Sequence, residues 1–159
     1  MRYTLGLLVL LAWGLWFGGT IAVFVFGLNL FHTFPQSKEI AGQAASAMFV
    51  VFGRYELVLA GIALAASALL VVNYPSARTI FLLAILILAG GMAVMFGLGM
   101  APHMEILREQ GKAHTEEFIK MHGKSMILMT AQSVMLLATG ALLMNALRAK
   151  SRVPNLGAT

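Results

Sequence analysis

The stretch IFLLAILILAGGMAVMFGLGMA, Ile80–Ala101, holds 22 consecutive residues without a charge. A helix needs about 20 such residues to cross about 30 Å of hydrocarbon. The run has none of the apolar–polar alternation of a membrane β-strand, so it reads as a transmembrane helix. Working outward, three more blocks of the same kind appear, at 5–30, 48–72 and 125–147. The chain is 60% hydrophobic and only 11% charged over 159 residues, against about 25% charged in ordinary soluble domains. A soluble domain this short could not hide so much apolar surface. The expected fold is therefore all-α: one integral membrane four-helix bundle over residues 1–147, with a polar loop at 102–124 and a flexible basic tail at 148–159.

The joints between blocks support this division. His32-Thr33-Phe34-Pro35 closes the first block, since proline cannot continue a helix. Asn73-Tyr74-Pro75-Ser76 reads as a tight turn between the second and third. Ala101-Pro102 ends the third. The polar stretch Met104–Met121 pairs Glu105 with Arg108 and Glu116 with Lys120 at helical spacing, which predicts a short surface helix. Met1-Arg2 ahead of an apolar run resembles a signal peptide. The run is too long for one and offers no small-residue cleavage site before Trp13, so an uncleaved span is expected.

With four crossings, every acid and every histidine falls on one side of the membrane. The other side carries Arg2, Arg78, Arg148, Lys150 and Arg152 at span ends, without acids. By the positive-inside rule both termini are expected in the cytoplasm, the membrane being a bacterial inner membrane. The net charge of +5 belongs to this pattern, and no basic, aromatic-interleaved patch points to nucleic acid. The absence of cysteine excludes disulfides, thiolate metal sites and cysteine nucleophiles.

Helices in lipid associate through small residues that let backbones approach. Gly14, Gly18 and Ala22 on the first span, and Ala89, Ala93 and Gly97 on the third, repeat every fourth residue. Both stripes are expected to serve packing within the bundle, with homodimerisation as the competing use.

Two constellations are candidates for chemistry. Arg54 and Glu56 interrupt the second block, and ionisable groups at membrane depth are costly and usually paired or functional. Either Ser37–Phe52 lies along the surface and Arg54 starts the span, or the pair forms an embedded polar site. At the start of the fourth span Phe118, His122, Ser125, Met129 and Gln132 share a helix face. The bland reading of His122 and Ser125 is hydrogen bonding to helix ends. Contact of Glu56 with His122 or Lys124 requires the second and fourth spans to be neighbours. His32, His103 and His122 share the polar side with several methionines, a donor set that would suit copper. No two histidines have the i, i+4 spacing of a helical ligand pair, and an intramembrane haem would need histidine at depth. No cofactor is therefore expected, with copper or haem as alternatives. No nucleophile–base constellation or phosphate-cradling loop is present, so catalysis is not expected.

Three stretches carry a family resemblance. They are Ala12–Gly19 with its Trp-Gly pattern, Met48–Tyr55 with its aromatic start to the second helix, and Phe118–Ser125 with His122-Gly123-x-Ser125. Together they resemble the TMEM205-like family of four-helix membrane proteins, a DUF4149-type domain of unknown function. The sequence departs from that pattern at Met129, where an asparagine is expected, and in Thr4–Leu11, which lacks a histidine. The resemblance implies the fold and no activity. Copper-resistance and haem-pathway proteins have a similar Trp-x-Gly-Gly first helix, which is what keeps the metal alternative open. The expected role is a structural or accessory subunit that packs in the lipid bilayer against other membrane protein subunits. The alternative is a protein that binds a cofactor or metal, or handles a small molecule.

Overall fold

The computed structural model describes residues 1–150, with side chains to Met144; the expected tail beyond lies outside the described residues. Helix α1 runs over Arg2–Thr33 and α2 over Lys38–Asn73. Helix α3, Ala77–Val94, passes through a π-helical turn, Met95–Met100, into α4, Ala101–Glu109. Helix α5 is Glu116–Lys150. The chain is an all-α four-helix membrane bundle. Its four membrane-length rods are 2–33, 38–73, 77–109 and 116 onward, each long and apolar enough to cross a bilayer.

The rods form a ring. Helix α1 packs on α2 and α5, and α3 packs on α2 and α5, while among the described residues the diagonal pairs α1–α3 and α2–α5 make no backbone contact. Successive rods alternate in direction, so the three joints alternate between ends. The ends near Thr33, Lys38, Glu109 and Glu116 gather at one pole and carry the histidines and every acid except Glu56.

Local chemistry sets the joints. Pro35 stops α1, whose last turn closes through Phe34 N–H to the Leu30 carbonyl. Ser76 caps α3 in a reciprocal box: Thr79 N–H donates to Ser76 Oγ at 3.2 Å, and Ser76 N–H donates to Thr79 Oγ1 at 3.0 Å. Pro102 does not end the third rod. Proline lacks an N–H and clashes with the carbonyl four residues back. The backbone widens into the π turn, where Ala101 N–H reaches the Phe96 carbonyl, and then resumes as α4. The predicted surface helix at 104–121 is thus two rod extensions, α4 and the start of α5. They are joined by a turn at Gly111, whose φ of 71° suits glycine. Nor does 37–52 lie apart along the surface, because 38–73 is one unbroken helix.

Two cores fill the ring. Toward the joint of α2 and α3, Ala60, Ala63, Ala66, Ala89 and Ala93 are buried. These small residues bring the two helices close, as association in lipid favours. Toward the polar pole the core consists of Phe52, Phe96, Met104, Phe118, Met129 and neighbours. Between them, Gly53 and Gly97 touch backbone to backbone: a Cβ on Gly97 would sit 2.9 Å from the Gly53 carbonyl oxygen.

The two small-residue stripes meet different ends. Ala89, Ala93 and Gly97 are buried in the bundle. Gly14 and Gly18 turn outward with nothing within 4 Å of a would-be Cβ, and Ala22 is only half-buried. The inward stripe of α1 is Leu5, Val9, Ala12, Trp16, Thr20, Val23 and Gly27. The expectation of internal packing through Gly14 and Gly18 is corrected by Trp16. Its ring occupies the interior and sets the rotation of the helix.

Candidate functional site

The four residues singled out as a polar site occupy three separate places. Arg54 points outward and is exposed. Glu56, two residues and about 200° further round the helix, is wholly buried at 0% exposure. His122 and Ser125 lie at the polar pole beside a cavity that neither Arg54 nor Glu56 lines.

Glu56 sits on the axis of the ring. Its Oε2 accepts from Trp16 Nε1–H at 3.1 Å and from Gln132 Nε2–H at 2.7 Å. The carboxyl thereby links α1, α2 and α5. The bond to Gln132 crosses the diagonal between two helices whose backbones do not meet. Only long side chains reach that far. The partner of Glu56 is therefore Gln132, about 15 Å of helix deeper than His122, and not His122 or Lys124. The remaining oxygens, Glu56 Oε1 and Gln132 Oε1, are buried without a donor.

The cavity lies above this node, among α1, α2, α4 and α5, and encloses about 170 Å³. It exists because facing surfaces differ in size. Over its first turns helix α2 offers small residues there, Gly42, Ala45 and Ser46, before Phe49, opposite the broad rings of Phe96 and Phe118. The lining is otherwise apolar, with Phe24, Phe31, Phe49, Met104 and Met129 among its walls. Its polar groups are Arg108, Ser46, Ser125 and His122. The Ser46 hydroxyl donates to Glu105, and Ser125 Oγ donates to the His122 carbonyl at 2.8 Å. The His122 ring stacks on Phe118, with centroids 6.2 Å apart and planes 6° apart.

Arg108, expected from its spacing to pair with Glu105 on a surface helix, instead lines the cavity, while Glu105 accepts from Ser46. The Arg108 guanidinium carbon stands 5.2 Å from the Phe118 ring centroid, a cation–π distance. Its Nη1 fills the space beside Gly42, where a Cβ would collide with it. Its Nε is buried without an acceptor, and no acid pairs with it among the described residues. The helical period placed Arg108 one turn after Met104 on the inward face of α4; the neighbouring glycine, far away in sequence, could be seen only in the fold.

The histidines do not converge. His32 is exposed at the end of α1, and His103 Nε2 meets Glu117 Oε1 at 3.1 Å across the α4–α5 joint. Among the described residues no three His, Asp or Glu side chains gather where they could hold one metal ion.

Comparison with curated proteins and with solved structures finds no match. One family model matches, described as a domain of unknown function, DUF4149, over residues 11–113. The matched stretch contains Trp16, Gly42, Glu56 and Arg108, and stops short of His122, Ser125 and Gln132. Because it covers more than half of the chain, this four-helix membrane protein belongs to the DUF4149 family.

Proposed function

We propose that the protein binds one small amphipathic molecule, drawn from the bilayer, in the cavity at its polar pole. The cavity itself carries the reading: a partly open space of about 170 Å³, walled by aromatic and methionine side chains. Well-packed interiors keep few voids larger than a water molecule. A cavity of about 150 Å³ with apolar walls is enough to take up benzene, so this one suits a ring or a short stretch of chain. Small-molecule handling was the alternative role expected from the sequence, and the geometry favours it over metal or haem chemistry. A Soret band, or one metal ion per purified chain, would replace this reading.

Ala45→Phe fills the cavity from α2 and provides the test. In native mass spectrometry from a neutral detergent, the wild type is expected to retain one bilayer-derived molecule and Ala45→Phe to lose it. Equal retention by both proteins would refute the reading.

One observation favours the accessory-subunit role as a second reading. Gly14 and Gly18 present a smooth outer face on α1 with nothing against it, the kind of surface a partner helix can approach closely. Purification from native membranes in mild detergent without any co-purifying subunit would remove its support. Within its family we propose a kinship with the TMEM205-like proteins, supported by the resemblance of Ala12–Gly19, Met48–Tyr55 and Phe118–Ser125. In a bacterial inner membrane both termini would be cytoplasmic, which a reporter fused after Thr159 and active only outside the cytoplasm would contradict.

A further inference from the structure

We infer that the molecule bound in the cavity is an anionic lipid, its phosphate held by Arg108 and its hydrocarbon lying toward Met129. This rests on the reading that the cavity binds an amphiphile, and names its chemistry.

Charge is the first argument. A guanidinium stays protonated under all ordinary conditions and presents a planar fork suited to phosphate. Here it stands at an otherwise apolar cavity with Nε buried and without an acceptor. The two serine hydroxyls at the cavity spend their protons on Glu105 and on the His122 carbonyl. The exposed His122 imidazole also lines the cavity without a ring hydrogen bond among the described residues, but Arg108 is the group with a permanent charge and several donors to spare, and an anion is what they fit. Glu105, three residues before Arg108 on α4, is turned to Ser46, and neither it nor Glu109 lines the cavity.

Depth is the second argument. Thirty-one residues of continuous helix separate Gly42, the seat of the guanidinium, from Asn73 at the far turn. At 1.5 Å per residue this is about 46 Å. A bilayer with its headgroups measures about 40–45 Å. With Asn73 in one headgroup layer, Arg108 stands in the other. From there the cavity descends past Ser125 to Phe96 and Met129, in the direction an acyl chain takes from its phosphate.

Gly42 is part of the device. A methyl group at 42 would occupy the position of Nη1, so Gly42→Ala pushes the fork off its seat while leaving its charge in place.

The test titrates the purified full chain, in neutral detergent, with dioleoyl phosphatidylglycerol and with dioleoyl phosphatidylcholine, and counts bound lipid by native mass spectrometry. The wild type is expected to bind phosphatidylglycerol at least about tenfold more tightly, the scale of one charge-assisted hydrogen bond. Arg108→Gln is expected to abolish that preference, and Gly42→Ala to reduce it. Arg108→Lys, which keeps the charge without the fork, is expected to retain part of it and shows that the site survives substitution. Equal binding of the two lipids, or a preference that Arg108→Gln leaves intact, would overturn the anionic assignment and leave amphiphile binding standing. Binding of neither lipid would overturn both. Displacement of phosphatidylglycerol by an equal concentration of inorganic phosphate would move the site to a soluble anion and overturn the lipid assignment.

Discussion

Replacing Gln132 by leucine is the substitution whose effect the structure specifies most fully. Leucine has nearly the same bulk, so the change removes one hydrogen bond, of 2.7 Å, and opens little space. Interhelical side-chain hydrogen bonds in membranes average about 0.6 kcal/mol and reach about 1.7 kcal/mol. Leaving a buried acceptor without its donor costs about 1–3 kcal/mol in general. Glu56 belongs at the overlap of these ranges. Its Oε1 already lacks a donor, and the loss would leave one bond, from Trp16 at 3.1 Å. A destabilisation of about 1.5 kcal/mol is therefore expected. The second step is more discriminating. Glu56→Leu added to Gln132→Leu removes the stranded carboxyl, because exchanging both partners for apolar groups is nearly neutral. It also strands the Trp16 N–H. The relief and the cost offset each other, so the double variant is expected to match Gln132→Leu alone to within about 1 kcal/mol. Unfolding in detergent followed by circular dichroism measures both steps. If Gln132→Leu matched the wild type, or the two substitutions cost their simple sum, the node would not hold the bundle together as described.

Gly97→Ala is expected to destabilise the protein by up to about 2 kcal/mol in the same assay. A gain of about 1 kcal/mol in helix propensity is outweighed by overpacking of about 1–3 kcal/mol, because the obstacle is the Gly53 carbonyl oxygen at 2.9 Å and backbone cannot rotate aside. Ser76→Ala removes the cap of α3 and is expected to cost about 1 kcal/mol; an unchanged melting curve would show that the turn is held by Pro75 alone.

The four rods were legible because lipid makes a simple demand, about 20 uncharged residues in a row, and four runs meet it. The rotation of each rod was not. Helix α1 is apolar on every side, so spacing could not tell an inward face from an outward one. The rule of small residues chose Gly14 and Gly18, whereas the bond from Trp16 to Glu56 turns the opposite face inward. Glu56 stood out as an acid within an apolar block, and Gln132 shared a face with Ser125 by helical period. Their meeting could not be read, since it joins helices that are diagonal in the ring. Pro102 reads as the end of a span, yet the backbone absorbs it in a π turn and continues; the Gly53–Gly97 approach within that turn is a pairwise contact, which has no local signature. The cavity was illegible for the same reason, being a mismatch of side-chain size between α2 and its facing helices.

The central claim is that a bilayer molecule occupies the cavity at the polar pole, and photo-crosslinking tests it most directly. The purified protein is reconstituted with a phosphatidylglycerol carrying a diazirine in its acyl chain, irradiated, digested and mapped by mass spectrometry. The account predicts adducts on Phe49, Phe96, Met104 and Met129, lost in Ala45→Phe. Adducts confined to outward residues such as Leu15 and Val25, unchanged by Ala45→Phe, would contradict it.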